Sequence, residues 1–248
     1  MKTGLKKLDE RYTFDNFVVG DSNRFAYQAA LAVAKTPGPS CNPLFLYGDV
    51  GLGKTHLIQA IANKIIQDNP KAKVLYVTTE NFINELLNSI KNVNNKLEQF
   101  RNKYRNIDVL LIDDIQFIAG KEIVEEEFFS IFNTLYEDGK QIVISSDRLP
   151  RDIPIFDEIL KSRFEWGIIA EIIKPNYETR LEILKRKRQL NNIIIDDEIL
   201  SIIATKVDSN IRVLEEVLNK IVAFASLNHN SITIEITEKV INILLFKI

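Results

Sequence analysis

Cysteine is almost missing from this chain: Cys41 alone among 248 residues excludes an internal disulfide and makes a reducing cytoplasm the expected compartment. Histidine is nearly as scarce, and His56 and His229 have no cysteine cluster beside them, which excludes the usual zinc sites. No apolar run exceeds a few residues and the opening segment holds no hydrophobic stretch, so neither a membrane span nor a secretory leader is expected. A strong charge of either sign is also lacking. With 32 basic and 34 acidic residues the net charge is −2, so any nucleic-acid contact must come from a local patch. Residues 1–13 are polar and basic and are expected to fray as the end of a longer protein.

What is present is a core and a phosphate cradle. Hydrophobic residues make up 46% of the chain, enough for one large or two small domains. The apolar run Leu44–Tyr47 reads as a buried strand that breaks at Gly48 into Gly48-Asp49-Val50-Gly51-Leu52-Gly53-Lys54-Thr55-His56. Glycines at this spacing let successive backbone N–H groups approach a polyphosphate. Lys54 adds a charge for the β and γ phosphates, and the Thr55 hydroxyl suits Mg²⁺. Leu57, Ile58, Ile61 and Ile65 continue the run as a helix whose positive end faces the same anion.

Upstream, Phe14, Phe17, Val18 and Val19 lead into an Ala-rich helix over Asn23–Ala34; core packing and an adenine pocket formed with Val19 both fit. Downstream, Lys73–Thr78 is a strand, and Phe82, Leu86, Ile90 and Val93 mark one apolar helix face. The following window carries Lys91, Lys96, Arg101, Lys103 and Arg105 against Glu98 alone. A solvated face and a phosphate-backbone contact both explain it. Ile107–Ile112 reads as a strand buried on both faces and ends in Asp113-Asp114, where two adjacent carboxylates are costly unless used. In phosphate-loop enzymes the first acid holds Mg²⁺ and its neighbour can orient the attacking water.

A helix over 121–138 is predicted with Glu125-Glu126-Glu127 as its solvated start, and a fourth strand, Gln141–Ser145, runs into Ser146-Asp147. Arg163 has no partner at local spacing. A fifth strand spans Gly167–Ile173, and Lys174-Pro175 divides an α/β domain, 1–174, from a helical lid, 175–248. The lid pattern predicts helices over Asn176–Leu190, Asp196–Lys206, Asn210–Leu227 and Ile236–Phe246. Arg212 opens the third of them, where a cation does nothing for the helix dipole and an external anion is the natural partner.

These parts together resemble an AAA+ ATPase. Asn42–Gly48, Gly51–Leu57, Leu111–Phe117, Glu126–Phe129, Lys161–Phe164 and Ser209–Arg212 look more closely like the ATPase domain of the DnaA family of bacterial replication initiators, from about Thr13 to the end. The resemblance implies five parallel strands in the order 5-1-4-3-2 followed by the all-α lid. It implies ATP or ADP with Mg²⁺ as cofactors, the run Gly48–His56 and Val19 around the nucleotide, and Thr55 and Asp113 on the metal. Asp114 would orient water, Asp147 and Arg212 would sense the γ-phosphate, and Arg163 would be given to a neighbouring subunit's ATP. The implied partners are further copies of the chain, single-stranded origin DNA through about Glu80–Tyr104, and the replicative helicase. Duplex binding is expected only through a domain beyond Ile248. Ile159 stands where members often carry a second arginine, so weak assembly is expected, and Glu216 stands where a glycine is common. A related adaptor or helicase loader and a small-molecule phosphotransferase are the alternative readings.

Overall fold

The computed structural model describes residues 8–91, 95–154, 158–227 and 231–245. The expectations placed on residues 1–7, on Val93 and on Phe246 lie outside the described residues. Two compact units emerge: a larger one from the residues up to Phe17, Phe25–Gly48 and Lys54–Ile172, and a smaller one from Val18–Arg24, Asp49–Gly53 and Ile173 onward.

In the larger unit, α1 (Arg24–Lys35) precedes β1 (Leu44–Tyr47), α2 (Lys54–Asp68), β2 (Val74–Thr78), α3 (Thr79–Ile90), α4 (Lys96–Arg105) and β3 (Val109–Asp113). It continues through α5 (Glu122–Glu137), β4 (Gln141–Ser146), α6 (Glu158–Glu165) and β5 (Ile168–Glu171). All pairings are parallel, in the order β2-β3-β4-β1-β5, as the family resemblance implies. Strands β3 and β4 are buried along their whole length, which is why they read as continuous apolar runs. In such sheets ligands bind beyond the carboxyl ends of the strands, where the strand order reverses. Tyr47, Asp113 and Ser146 all end strands at that edge.

The core joins the sheet to its helices through aromatic rings. Phe164 of α6 lies 5.6 Å from Phe45 of β1 and 5.6 Å from Phe132 of α5, and Phe82 of α3 contacts Phe128 of α5 at 5.8 Å. Each such ring, removed from water, contributes about 1.5–3 kcal/mol. Asn42 ties the entry of β1 to β4: its amide nitrogen donates to the Lys140 carbonyl and its oxygen accepts the Ile142 N–H, both at 2.8 Å.

Three details depart from the sequence pattern. Ile90 is 45% exposed, because Phe82, Ile83 and Leu86 already cover the sheet and α3 ends at that residue. Glu127 is buried and not part of a solvated turn, because it faces Arg101 of α4. Residues 8–13 are docked onto α2 and do not fray: Gln59 accepts the Asp9 N–H at 2.8 Å, and Asn63 donates to the Asp9 and Tyr12 carbonyls.

The smaller unit consists of α7 (Tyr177–Leu190), α8 (Asp197–Lys206), α9 (Ile211–Leu227) and α10 (Ile234–Leu245) around Leu184, Leu200, Ile203, Leu214, Leu218 and Ile241. Asn176 caps α7 by accepting the Thr179 N–H at 3.0 Å, and Asn210 caps α9 through Val213 at 2.9 Å. Among the described residues no helix is long and apolar enough to cross a membrane.

Candidate active site

The larger unit gathers predicted site residues at the ends of β1, β3 and β4. Gly48 follows β1 with φ 147°, and a Cβ there would stand 2.1 Å from the Ile172 carbonyl oxygen, so only glycine fits. Lys54 opens α2, is 6% exposed, and gives its ammonium to the Gly48 carbonyl at 2.5 Å. At the next residue, the Thr55 hydroxyl donates to Asp113 Oδ2 at 2.9 Å. Tyr76 of β2 donates to the same oxygen at 3.0 Å, Ser145 of β4 donates to Oδ1, and Thr79 donates to the Asp113 carbonyl at 2.9 Å. A carboxylate 3% exposed is tolerable only with such a set of donors. Burial and the neighbouring Asp113 charge push the Tyr76 phenol above its ordinary pKa, which keeps its proton available for donation.

This donor set suits a hard cation. Mg²⁺ takes oxygen ligands and is usually held by one or two carboxylates together with substrate phosphates, not by an all-protein cage. Thr55 and Asp113 supply such oxygens, and among the described residues no cluster of three or more metal-ligating side chains competes with them.

Asp114 is half-buried and left-handed, with φ 61°. Its N–H donates to Ser145 Oγ at 2.9 Å, and burial, followed by the Asp113 charge, raises its pKa above the usual carboxylate value. Gln116 joins two of the predicted site residues: its amide nitrogen reaches Asp114 Oδ1 at 3.4 Å and its oxygen accepts the Asp147 N–H at 3.3 Å. The Asp147 carboxylate itself is taken by Arg148, at 2.7 and 2.9 Å, which holds its pKa below the usual range. At the end of β4, therefore, the Ser145 hydroxyl reaches Asp113, while Asp147 meets the cluster through its backbone.

The smaller unit carries the loop Asp49–Gly53. The Gly51 carbonyl accepts the N–H groups of Ile211 at 3.0 Å and Arg212 at 3.3 Å, and a Cβ at Gly51 would lie 2.8 Å from Asn210 Oδ1. Asp49 and Val50 are exposed, Leu52 is buried, and Arg212 is exposed on the first turn of α9. Val19 is partly exposed beside Gly20, where a Cβ would meet Thr179. His56 turns to the amino-terminal segment, with Nε2 2.8 Å from the Thr13 carbonyl and its ring against Tyr12 and Phe17.

Arg163 has partners that local spacing does not reveal. Its guanidinium donates to Asn133 of α5 and lies 5.4 Å from the Phe129 ring and 5.3 Å from that of Trp166. The basic window is likewise less free than its composition suggests. Arg101 forms two bonds to Glu127, Lys103 pairs with Glu85 at 2.6 Å, and Arg105 donates to Ser130. Of its five cations, Lys91 and Lys96 are exposed and the other three are partly buried.

Tyr76, Ser145 and Gln116 are among the members of this cluster that sequence reasoning missed. A serine still within the strand directly after the apolar run Ile142-Val143-Ile144 was the available signal for Ser145. For Tyr76 and Gln116 there was none, because their partners come from register and turn geometry.

The model of the bacterial DnaA ATPase domain matches residues 8–171. The chromosomal replication initiator protein DnaA of Caldanaerobacter subterraneus subsp. tengcongensis is 59% identical over 236 residues, 95% of this chain. The chain spans about half, 53%, of the length of that curated relative. Domain III of the Thermotoga maritima replication initiation protein DnaA superposes with a TM-score of 0.91 at 43% identity, covering 95% of this chain and 97% of that one. A replication initiator DnaA bound to AMPPCP and single-stranded DNA matches with a TM-score of 0.79 at 37% identity, over 90% of this chain and 66% of that one.

Proposed function

The chain belongs to the bacterial DnaA ATPase-domain family, and from that premise we propose that it binds ATP with Mg²⁺, hydrolyses it slowly, and assembles with copies of itself on single-stranded origin DNA in the cytoplasm. The observation that carries this reading is the meeting of Thr55 and Asp113 at 2.9 Å, two residues separated by 58 positions and joined by the parallel order of β1, β4 and β3. Residues 1–174 act as the nucleotide-binding domain and 175–248 as its lid.

In this reading the backbone from Gly48 to Gly53 and the Lys54 ammonium hold the phosphates, while Val19 and His56 border the nucleotide. When bound at Thr55 and Asp113, the metal neutralises charge on the phosphates. Asp114 orients a water and accepts its proton as the water oxygen bonds to the γ-phosphorus and the bond to the ADP oxygen breaks. Asp147, Arg212 and a neighbouring subunit's Arg163 complement the charge that the γ-phosphoryl group carries.

Thermal melts test nucleotide binding. At a concentration one hundred times the dissociation constant, ATP-Mg²⁺ should stabilise the chain by about 2.7 kcal/mol, roughly 5–10 °C for a chain of this size. Lys54→Ala should lose most of that shift, and an equal shift in both proteins removes Lys54 from the site.

The DNA contact draws support from the relative bound to AMPPCP and single-stranded DNA and from the exposure of Lys91 and Lys96. Fluorescence anisotropy of a labelled oligonucleotide with an ATP analogue should show cooperative binding that ADP does not support. Its log affinity should fall against log salt by about 0.7 per neutralised phosphate. Lys91→Ala with Lys96→Ala should flatten that slope, whereas Arg101→Ala, which breaks a partly buried pair, should lower the melting temperature instead. A slope unchanged by the double variant places the strand elsewhere. The replicative helicase remains a further proposed partner.

A further inference from the structure

Tyr76 lies on β2, outside the phosphate loop, yet its hydroxyl ends on the carboxylate proposed to hold the metal. It lies in β2, 4% exposed, in a strand whose Thr78 stands level with Asp113 across the parallel pair. A phenylalanine would fill the same apolar space, so the hydroxyl is what distinguishes the position; buried, it requires an acceptor. That acceptor is Asp113 Oδ2, at 3.0 Å, the oxygen that also takes the Thr55 proton at 2.9 Å. Ser145 occupies the other oxygen, Oδ1. The two oxygens are thereby made different, one facing Thr55 and the other facing β4. The Gln59 side chain also neighbours the phenol; it is 3% exposed and accepts the Asp9 N–H at 2.8 Å.

We propose that Tyr76 is a positioning residue for Asp113: its hydroxyl holds Oδ2 toward Thr55, so that the carboxylate presents one defined oxygen to a divalent cation at the phosphate loop. A cation that draws on the Thr55 oxygen competes with the Thr55 bond to Asp113, and Tyr76 is then the donor that stays on Oδ2. This inference rests on the nucleotide-binding reading and goes beyond it, because it assigns a task to a side chain on β2, outside the phosphate loop and the Asp113-Asp114 pair. Partners behind a metal ligand orient it, and their loss typically weakens metal binding about 10–100-fold.

The test uses the full chain with a non-hydrolysable ATP analogue and Mn²⁺ as the probe, followed by electron paramagnetic resonance. Tyr76→Phe should bind Mn²⁺ about tenfold more weakly, with a changed spectrum of the bound ion, while its affinity for the analogue in EDTA matches that of the parent. Equal Mn²⁺ affinity and an identical spectrum overturn the inference. Should the Phe variant melt too early, 3-fluorotyrosine at position 76 keeps the donor. Its ¹⁹F resonance should move when Mg²⁺ joins the nucleotide complex, and a resonance that does not move also overturns the inference. Failure of the parent chain to bind the analogue in EDTA would instead strike at the phosphate loop itself.

Discussion

Replacing Arg163 by alanine should lower ATP hydrolysis by assembled subunits about 10³-fold or more, with the nucleotide affinity of the separate subunit unchanged. An arginine supplied from a neighbour typically contributes 10³–10⁵ in rate, because it complements charge that develops only as the phosphoryl group transfers. Within one chain the Arg163 guanidinium is committed to α5 through Asn133 and to the faces of Phe129 and Trp166. Its Nε is buried and finds no hydrogen-bond partner among the described residues, so the side chain is held but not saturated. Such anchoring fixes where the cation is presented. The specific activity of the parent should therefore rise with protein concentration, and that of Arg163→Ala should stay flat. Exposed Ile159, where a second arginine is common in the family, adds apolar surface but no charge to the same helix, so the rise should begin only at high concentration. If the parent's rate per subunit is independent of concentration, or if Arg163→Ala loses nucleotide affinity in proportion to rate, the residue does not act across subunits. A melt of the variant separates this from unfolding, since the loss of one hydrogen bond and two ring contacts should cost only about 1–3 kcal/mol.

The parts of this molecule that were legible in its sequence are those whose signal is local. The run Leu44–Thr55 announces strand, loop and helix because each element's requirement falls on neighbouring residues: apolar side chains, glycines at positive φ, then a cation and a hydroxyl on the first helical turn. Asp113 and Asp114 stood out because charge at the end of a buried strand has few uses. The misread residues are those whose partners come from other elements. Glu127 looked solvated and Arg101 looked free for solvent or a phosphate backbone, since neither helix reveals that the other faces it. Arg163 looked unpartnered because Asn133 lies thirty positions away on α5. Tyr76 and Ser145 were lost among apolar strand residues, because what they touch is decided by the order β2-β3-β4. Periodicity reports which face of an element is buried, and strand order decides what that face meets.

Asp114→Asn changes the chemistry of the site at nearly constant shape, and it should lower the assembled hydrolysis rate about 10²–10⁴-fold, the range expected for a lost proton acceptor. Left-handed backbone is strained for most residues but tolerated by asparagine, so the φ of 61° at this position should survive the exchange. The N–H bond to Ser145 comes from the backbone and is kept, and the Gln116 amide still finds an oxygen at Oδ1. What disappears is a carboxylate whose proton affinity is raised by burial and by Asp113, the two features that make it a better acceptor than a solvated aspartate. Nucleotide affinity and melting temperature should accordingly stay within error of the parent. Asp113→Asn, by contrast, should weaken the nucleotide complex only when divalent metal is present, because its carboxylate meets Thr55, the other residue proposed to hold the metal. Single-turnover hydrolysis at a protein concentration where the parent is assembled provides the readout. If Asp114→Asn retains more than about half of the parent rate, the proton goes elsewhere, and the strained turn at Asp114 serves only to deliver Gln116 to the end of β4.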